Sequence, residues 1–136
     1  MHNIIISEKD ALRLRERIHH FRQSSNNYTK EINNLTKELS RAQLVEPTQI
    51  PVDVVTMHSV VKLKYLQSNQ ELKMEIVYPE EADIKKNKIS IFAPIATALL
   101  GYRKGDVIDW VVPSGKVKIQ IDDILYQPEA AGDFHL

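Results

Sequence analysis

The 136-residue chain has no cysteine, only four glycines and six prolines, 7% aromatic residues, and no net charge, with 18 Lys+Arg against 18 Asp+Glu. Without thiols there is no disulfide framework, no thiolate zinc site, no iron–sulfur cluster and no cysteine nucleophile. Charge neutrality argues against a dedicated nucleic-acid module, which concentrates enough basic side chains to neutralise several phosphates. No apolar run approaches the roughly 18 residues of a membrane-spanning helix. The opening MHNIIISEKD places three apolar residues before its charges, short of the roughly 7 to 15 of a signal-peptide core. The expectation is a cytoplasmic protein with no membrane segment, of a length that suits one main core, since domains run to about 100–200 residues.

What is present divides near residue 46. Residues 1–45 carry eight Lys/Arg and five Asp/Glu, a net of +3, and residues 46–136 carry ten and thirteen, a net of −3. Arg13, Arg15, Arg17 and Arg22 are interrupted by Glu16 and read as a solvated helix face. Ser7 before Glu8, Lys9 and Asp10 is a helix start, with a hydroxyl for an unpaired amide and acids at the positive helix end. Ala11, Leu14, Ile18 and Phe21 then form one helical stripe. Gln23 to Asn27 is a polar run whose side chains compete for backbone hydrogen bonds and favour a turn. A second stripe, Tyr28, Ile32, Leu35, Leu39 and Ala42, has coiled-coil spacing. The expectation is an antiparallel helical hairpin over residues 1–46, each helix about 16 residues and about 24 Å long, whose two stripes bury each other.

Pro47 and Pro51 bracket a connector unsuited to helix, and beyond it the apolar period becomes two. Val61, Leu63 and Tyr65, then Leu72, Met74 and Ile76, predict a β-hairpin over about 60–78 with a loop at 67–70. A brief strand is expected at 89–92. Pro94 opens a short helix that Gly101 ends in a left-handed conformation. Residues 107–112 and 117–125 form a second antiparallel pair across Pro113-Ser114-Gly115-Lys116. The predicted class is α+β: a short N-terminal helical hairpin, then residues 47–136 as an antiparallel sheet wrapped around one short helix, with a C-terminal tail.

Three clusters in fixed order carry a resemblance: Ala82-Asp83-Ile84 with Ile89-Ser90; Pro94-Ile95-Ala96 with Ala98-Leu99-Leu100-Gly101; and Gly105-Asp106-Val107 with Pro113-Ser114-Gly115 and Ile124-Leu125-Tyr126. In order and spacing they resemble the C-terminal domain of the bacterial Gre transcript cleavage factors over about residues 54–126, and the hairpin resembles a shortened form of the Gre coiled-coil finger. The resemblance implies an FK506-binding-protein-like C-terminal domain and a partner, bacterial RNA polymerase, contacted at the β′ rim of its secondary channel. The segment implied to contact polymerase is Ser90, Phe92, Ala93 and Pro94. Ser90 and Pro94 agree with the family pattern, whereas Phe92 and Ala93 replace an acidic and a hydroxyl residue found in some members. Phe92 is then either an exposed apolar anchor or a core residue.

Gre cleavage chemistry needs fingertip carboxylates that help hold a second Mg²⁺. Here the tip, including Ser24, Ser25, Asn26, Asn27 and Tyr28, contains no Asp or Glu; Glu31 and Glu16 lie outside it and read as solvated, and Tyr28 reads as a cap on the core. The expectation is a monomeric regulator that is not an enzyme, has no catalytic or metal-ligating residues and no cofactor, and makes no sequence-specific nucleic-acid contact. Two other classes stand beside it. One is an interaction adaptor for another protein. The other is a prolyl isomerase, whose aromatic candidates are Trp110, Tyr65, Tyr78, Tyr102 and Phe92. His19 and His20 are adjacent and diverge by about 100° on a helix, while His2, His58 and His135 are isolated and read as surface residues. Asp122 and Asp123 read as a solvated rim.

Overall fold

The computed structural model describes residues 4–24, 29–112 and 115–133, and their side chains apart from those at 22–24, 29–31, 94 and 110–112. A short strand, β1 (Ile5–Ser7), runs directly into helix α1 (Glu8–Ser24), and helix α2 (Thr29–Arg41) runs into strand β2 (Gln43–Val45). Ser7 Oγ accepts the Asp10 N–H at 3.1 Å, the N-terminal cap expected of it. β1 and β2 pair in parallel, Ile5 beside Gln43 and Ser7 beside Val45, so the start of α1 lies next to the end of α2 and the helices run antiparallel. The connection between them, residues 25–28, lies outside the described residues.

No periodicity in the sequence predicts this two-stranded sheet, whose strands have three residues each. Ile4 and Ile6 are buried, and Ile4 packs so closely on Gly101 that a Cβ there would fall within its side chain. The helical stripes also do more than bury each other. Ala11, Leu14, Ile18, Ile32, Leu35 and Leu39 belong to the same apolar cluster as Val61, Leu63, Met74, Ile76, Tyr78, Phe92 and Leu99. The hairpin therefore lies on the β-rich part of the chain and shares its core. A helix pair this short gains little from propensity and depends on packing for its stability, and the sheet side supplies that packing.

The main sheet has five strands in the order β5–β4–β3–β7–β6: β3 (Val60–Tyr65), β4 (Glu71–Val77), β5 (Lys88–Ser90), β6 (Val107–Val112) and β7 (Gly115–Tyr126). Val61 faces Met74 and Leu63 faces Ile121, and these buried residues form the inner face. The outer face is charged, with Lys62 paired to Glu71 and Asp122, and Lys118 to Asp109. One correction concerns direction: β5 runs parallel to β4, so the sheet is mixed, not antiparallel throughout. The chain between them makes two 3₁₀ turns, Pro79–Glu81 and Ile84–Lys86, the second capped by Asp83 and ended by Asn87 at φ 58°. These turns bring the chain back far enough for Lys88 to lie beside Glu75, so β5 runs along the second half of β4. Helix α3 (Pro94–Leu99) follows and covers the inner face, and Gly101 takes φ 82°. The expected tail instead forms a helical turn, α4 (Pro128–Ala131), held by buried Gln127, whose Nε2 donates to the carbonyls of Val54 and Pro51 at 2.6 and 2.8 Å.

Candidate functional site

Residues 90–94 form the corner where β5 ends and α3 begins. The Ile91 N–H reaches the Val77 carbonyl at 2.8 Å, the last tie to β4, and the chain then turns. Ser90 organises that turn: its Oγ accepts the Phe92 N–H at 3.1 Å and its carbonyl accepts the Ala93 N–H at 2.9 Å. From α3, Thr97 Oγ1 donates to the Ile91 carbonyl at 2.6 Å, and the Thr97 N–H to the Ala93 carbonyl at 3.0 Å. Every inward-facing polar group named here is thus satisfied, which a corner with a buried floor requires. Ala93 offers no side-chain cap to α3.

Of the two readings of Phe92, the structure selects the core. Phe92 is 4% exposed and Ile91 is fully buried, whereas Ser90 and Ala93 are half-buried. The expected strand over 89–92 stops at Ser90, so strand alternation no longer governs Phe92, and the turn directs its ring under the corner. There it meets Phe21 of α1 edge-on, centroids 5.2 Å apart at 62°, the favourable geometry for two ring quadrupoles. The Pro94 side chain lies outside the described residues. So do Ser25, Asn26, Asn27 and Tyr28, and the side chain of Ser24, whose backbone closes α1.

A second cluster joins α1 to the sheet, and sequence reasoning missed it. Asp10 is buried, and its Oδ1 accepts the Tyr78 hydroxyl at 3.2 Å. Burial, reinforced by the charge of Glu129, raises its carboxyl to about 6, against the opposing effects of Tyr78, His58 and Arg13. Burial and the adjacent Asp10 push the Tyr78 hydroxyl well above its ordinary range. Arg17 lies over the Tyr78 ring, 4.4 Å from its centroid, and its Nη2 is 2.5 Å from Glu80 Oε2; that pair holds the Glu80 carboxyl below its usual range. His58, expected at the surface, is 6% exposed, stands edge-on to Tyr78, and places Nε2 2.8 Å from Glu81 Oε1. Its φ of 66° and a 2.7 Å bond from its N–H to the Ile76 carbonyl fold it inward. Asp10 Oδ2 and His58 Nδ1 have no hydrogen-bond partner among the described residues. The only sequence signal for this cluster was an acid at the third position of a helix that also has to bury a face.

The cluster supplies acids and a histidine, but its rings are committed: Tyr78 is buried under Arg17, and Phe92 faces Phe21. Two of the five aromatic candidates for a proline pocket therefore line no surface. Among the described residues no group of three or more His, Cys, Asp or Glu side chains is gathered in a way that could hold a metal ion. No described helix is long and apolar enough to cross a membrane. Asp122 and Asp123 pair with Lys62 and Lys104 on the charged outer rim.

The corner, the helix behind it and the strands on either side lie within one stretch, residues 50–126, that matches the family described as "Transcription elongation factor, GreA/GreB, C-term". The chain belongs to the GreA/GreB family. Among curated GreA/GreB relatives, the "Regulator of nucleoside diphosphate kinase" of Escherichia coli strain K12 is 42% identical over 99 residues, covering 72% of this chain and 73% of that protein. "Transcription elongation factor GreA" of Clostridium botulinum strain Hall is 37% identical over 86 residues, 63% of this chain and 54% of that protein. Among solved structures, a GreA/GreB transcription elongation factor from Nitrosomonas europaea superposes with a TM-score of 0.77 at 38% identity, covering 93% of this chain and all of that one. That superposition spans both the helical hairpin and the sheet.

Proposed function

We propose that this GreA/GreB-family chain is a transcription regulator that binds bacterial RNA polymerase at the β′ rim of the secondary channel and does not support transcript cleavage. The docking segment is Ser90, Phe92, Ala93 and Pro94, in a domain of FK506-binding-protein type over residues 47–136, and residues 1–46 are a shortened finger. Within that segment the roles divide. Ser90 and Ala93 present the half-buried surface that a partner touches, and Phe92 supports it from beneath. The observation that carries the reading is that the corner lies inside the family match, with its backbone bonds closed on Ser90 and Thr97.

The finger argument is chemical. α1 has 17 residues, about 25 Å at 1.5 Å per residue, and the stretch from Gln23 to Thr29 contains no carboxylate. Ser24, Ser25, Asn26, Asn27 and Tyr28 offer neutral oxygens, which do not supply the negative charge that hard cations draw from carboxylates. The protein therefore occupies polymerase as a monomer without completing a two-metal site, and an effect on nucleoside diphosphate kinase runs through transcription.

Two measurements on the purified full chain test this. Core RNA polymerase should bind the immobilised protein, and Ala93→Arg should weaken binding by at least about tenfold, the ratio that 1.4 kcal/mol represents. On backtracked elongation complexes the protein should leave the rate of transcript cleavage at that of polymerase alone. Strong stimulation of cleavage, or no polymerase binding, overturns the proposal.

A further inference from the structure

We infer that Phe21, on the finger helix, is a positioning residue for the docking corner: its ring, set edge-on against Phe92, holds the corner in its binding shape, so that the finger tunes the affinity of the domain. The inference rests on the docking role proposed for residues 90–94.

The corner is held from three sides. Strand β4 fixes its beginning through the bond from the Ile91 N–H to the Val77 carbonyl, 2.8 Å. Helix α3 fixes its far side through Thr97, whose hydroxyl is 2.6 Å from the Ile91 carbonyl. Phe92 lies between these anchors, and its N–H bonds to Ser90 Oγ, two residues back in the same turn. What keeps its ring in place is packing. Ile91 and Phe92 are both buried, and Phe21 closes over Phe92 from α1 with centroids 5.2 Å apart. If Phe21 is cut back, the Phe92 ring loses its edge-on neighbour and the floor of the corner can move, because a packed side chain shifts toward any space left beside it. The backbone carrying the Ser90 hydroxyl and the Ala93 methyl then moves with it.

The position of Phe21 gives the contact a direction. It is the last residue of the α1 apolar stripe, one turn before the finger tip, and α1 is held further back by Asp10 to Tyr78 and by Arg17 to Glu80. Those two ties fix the root of the helix against the sheet. The pair of rings lies beyond them, where a rotation of the outer helix is transmitted to the corner. A displacement of the tip inside the polymerase channel would therefore reach the docking surface through this contact.

The test uses the full chain carrying Phe21→Leu, which keeps an apolar side chain at the site, with Phe21→Met as a second variant of different shape. Hydrogen exchange on the free protein should show the Phe92 and Ala93 amides exchanging about fivefold faster in either variant, while the Val61 and Leu63 amides of the central strand keep wild-type protection. Affinity for core RNA polymerase should fall about fivefold, within the range of an aromatic pair contact. Combining Phe21→Leu with Phe92→Leu should weaken binding no more than Phe92→Leu alone, because both act through one contact. Unchanged corner exchange in a folded variant overturns the inference, as does full additivity in the double variant. If both variants lose protection throughout the central strand, Phe21 is a general core residue and the positioning role is likewise overturned. A wild-type chain that fails to bind polymerase defeats the docking proposal instead, and the exchange experiment still decides whether Phe21 holds the corner.

Discussion

Asp10 is the residue at which burial and charge conflict most directly. Its N–H donates to the Ser7 hydroxyl that caps α1 and its carboxyl stands in the first turn, at the positive helix end, yet it is 2% exposed and one of its oxygens is unpartnered among the described residues. Its folded value of about 6 lies above the ordinary 3.8, with burial the main cause. A carboxyl raised in this way binds a proton more readily in the folded chain. Its ionised form costs stability, by about 3 kcal/mol where fully ionised. That penalty is complete above pH 6 and disappears as the pH falls toward 4, so this group makes the protein more stable on mild acidification. Asp10→Asn should raise stability at pH 8 by about 1 kcal/mol, the relief being partly offset by a buried amide nitrogen in place of Oδ2. It should also flatten the pH dependence between 4 and 6. Urea unfolding of both proteins at pH 4, 6 and 8 measures this, and a variant less stable at pH 8 with an unchanged pH profile contradicts it.

At the scale of elements, the regular ones were legible because their periods were unbroken. The stripes Ala11–Leu14–Ile18 and Ile32–Leu35–Leu39 and the alternation through Val61, Leu63, Met74 and Ile76 each face a buried side, as their spacing required. The short strands were not legible. Ile5–Ser7 and Gln43–Val45 have three residues each, too few for a period, and they pair only because the helices between them return the chain to its start. The direction of β5 was hidden for a related reason: two 3₁₀ turns, Pro79–Glu81 and Ile84–Lys86, decide it, not the strand itself. Gly101 ties the first of these short elements to the rest. It sits at φ 82° with Ile4 against it. Gly101→Ala should therefore cost more than about 2 kcal/mol, combining the left-handed penalty with displacement of Ile4. With Ile4→Gly also present the extra cost should shrink, since the Ile4 Cβ, the atom nearest the added methyl, is gone. Chemical denaturation of the two single variants and the double variant gives the coupling, and strict additivity would mean that Ile4 is not what Gly101 accommodates.

For the whole molecule, the continuous core has a thermodynamic consequence. Hairpin and sheet contribute side chains to one apolar cluster, and Asp10, Arg17 and Phe21 each bond or pack across the junction. Calorimetry of the full chain should show a single cooperative transition with calorimetric and van't Hoff enthalpies in agreement. Two separated transitions would show that residues 1–46 fold apart from the remainder. What the chain's order of residues determined was local: where helices and strands lie, which side of each is apolar, that Ser7 caps a helix and Gly101 ends one, that the tip carries no acid, and which family the segments follow. These depend on neighbours within a few positions, and a linear pattern records them. Only the tertiary structure decided that Phe92 turns inward, that His58 is buried, that Asp10 meets Tyr78 68 positions away, and that the hairpin rests on the sheet. Each of those outcomes depends on which surfaces meet after the chain closes, and burial, not spacing, sets their energies.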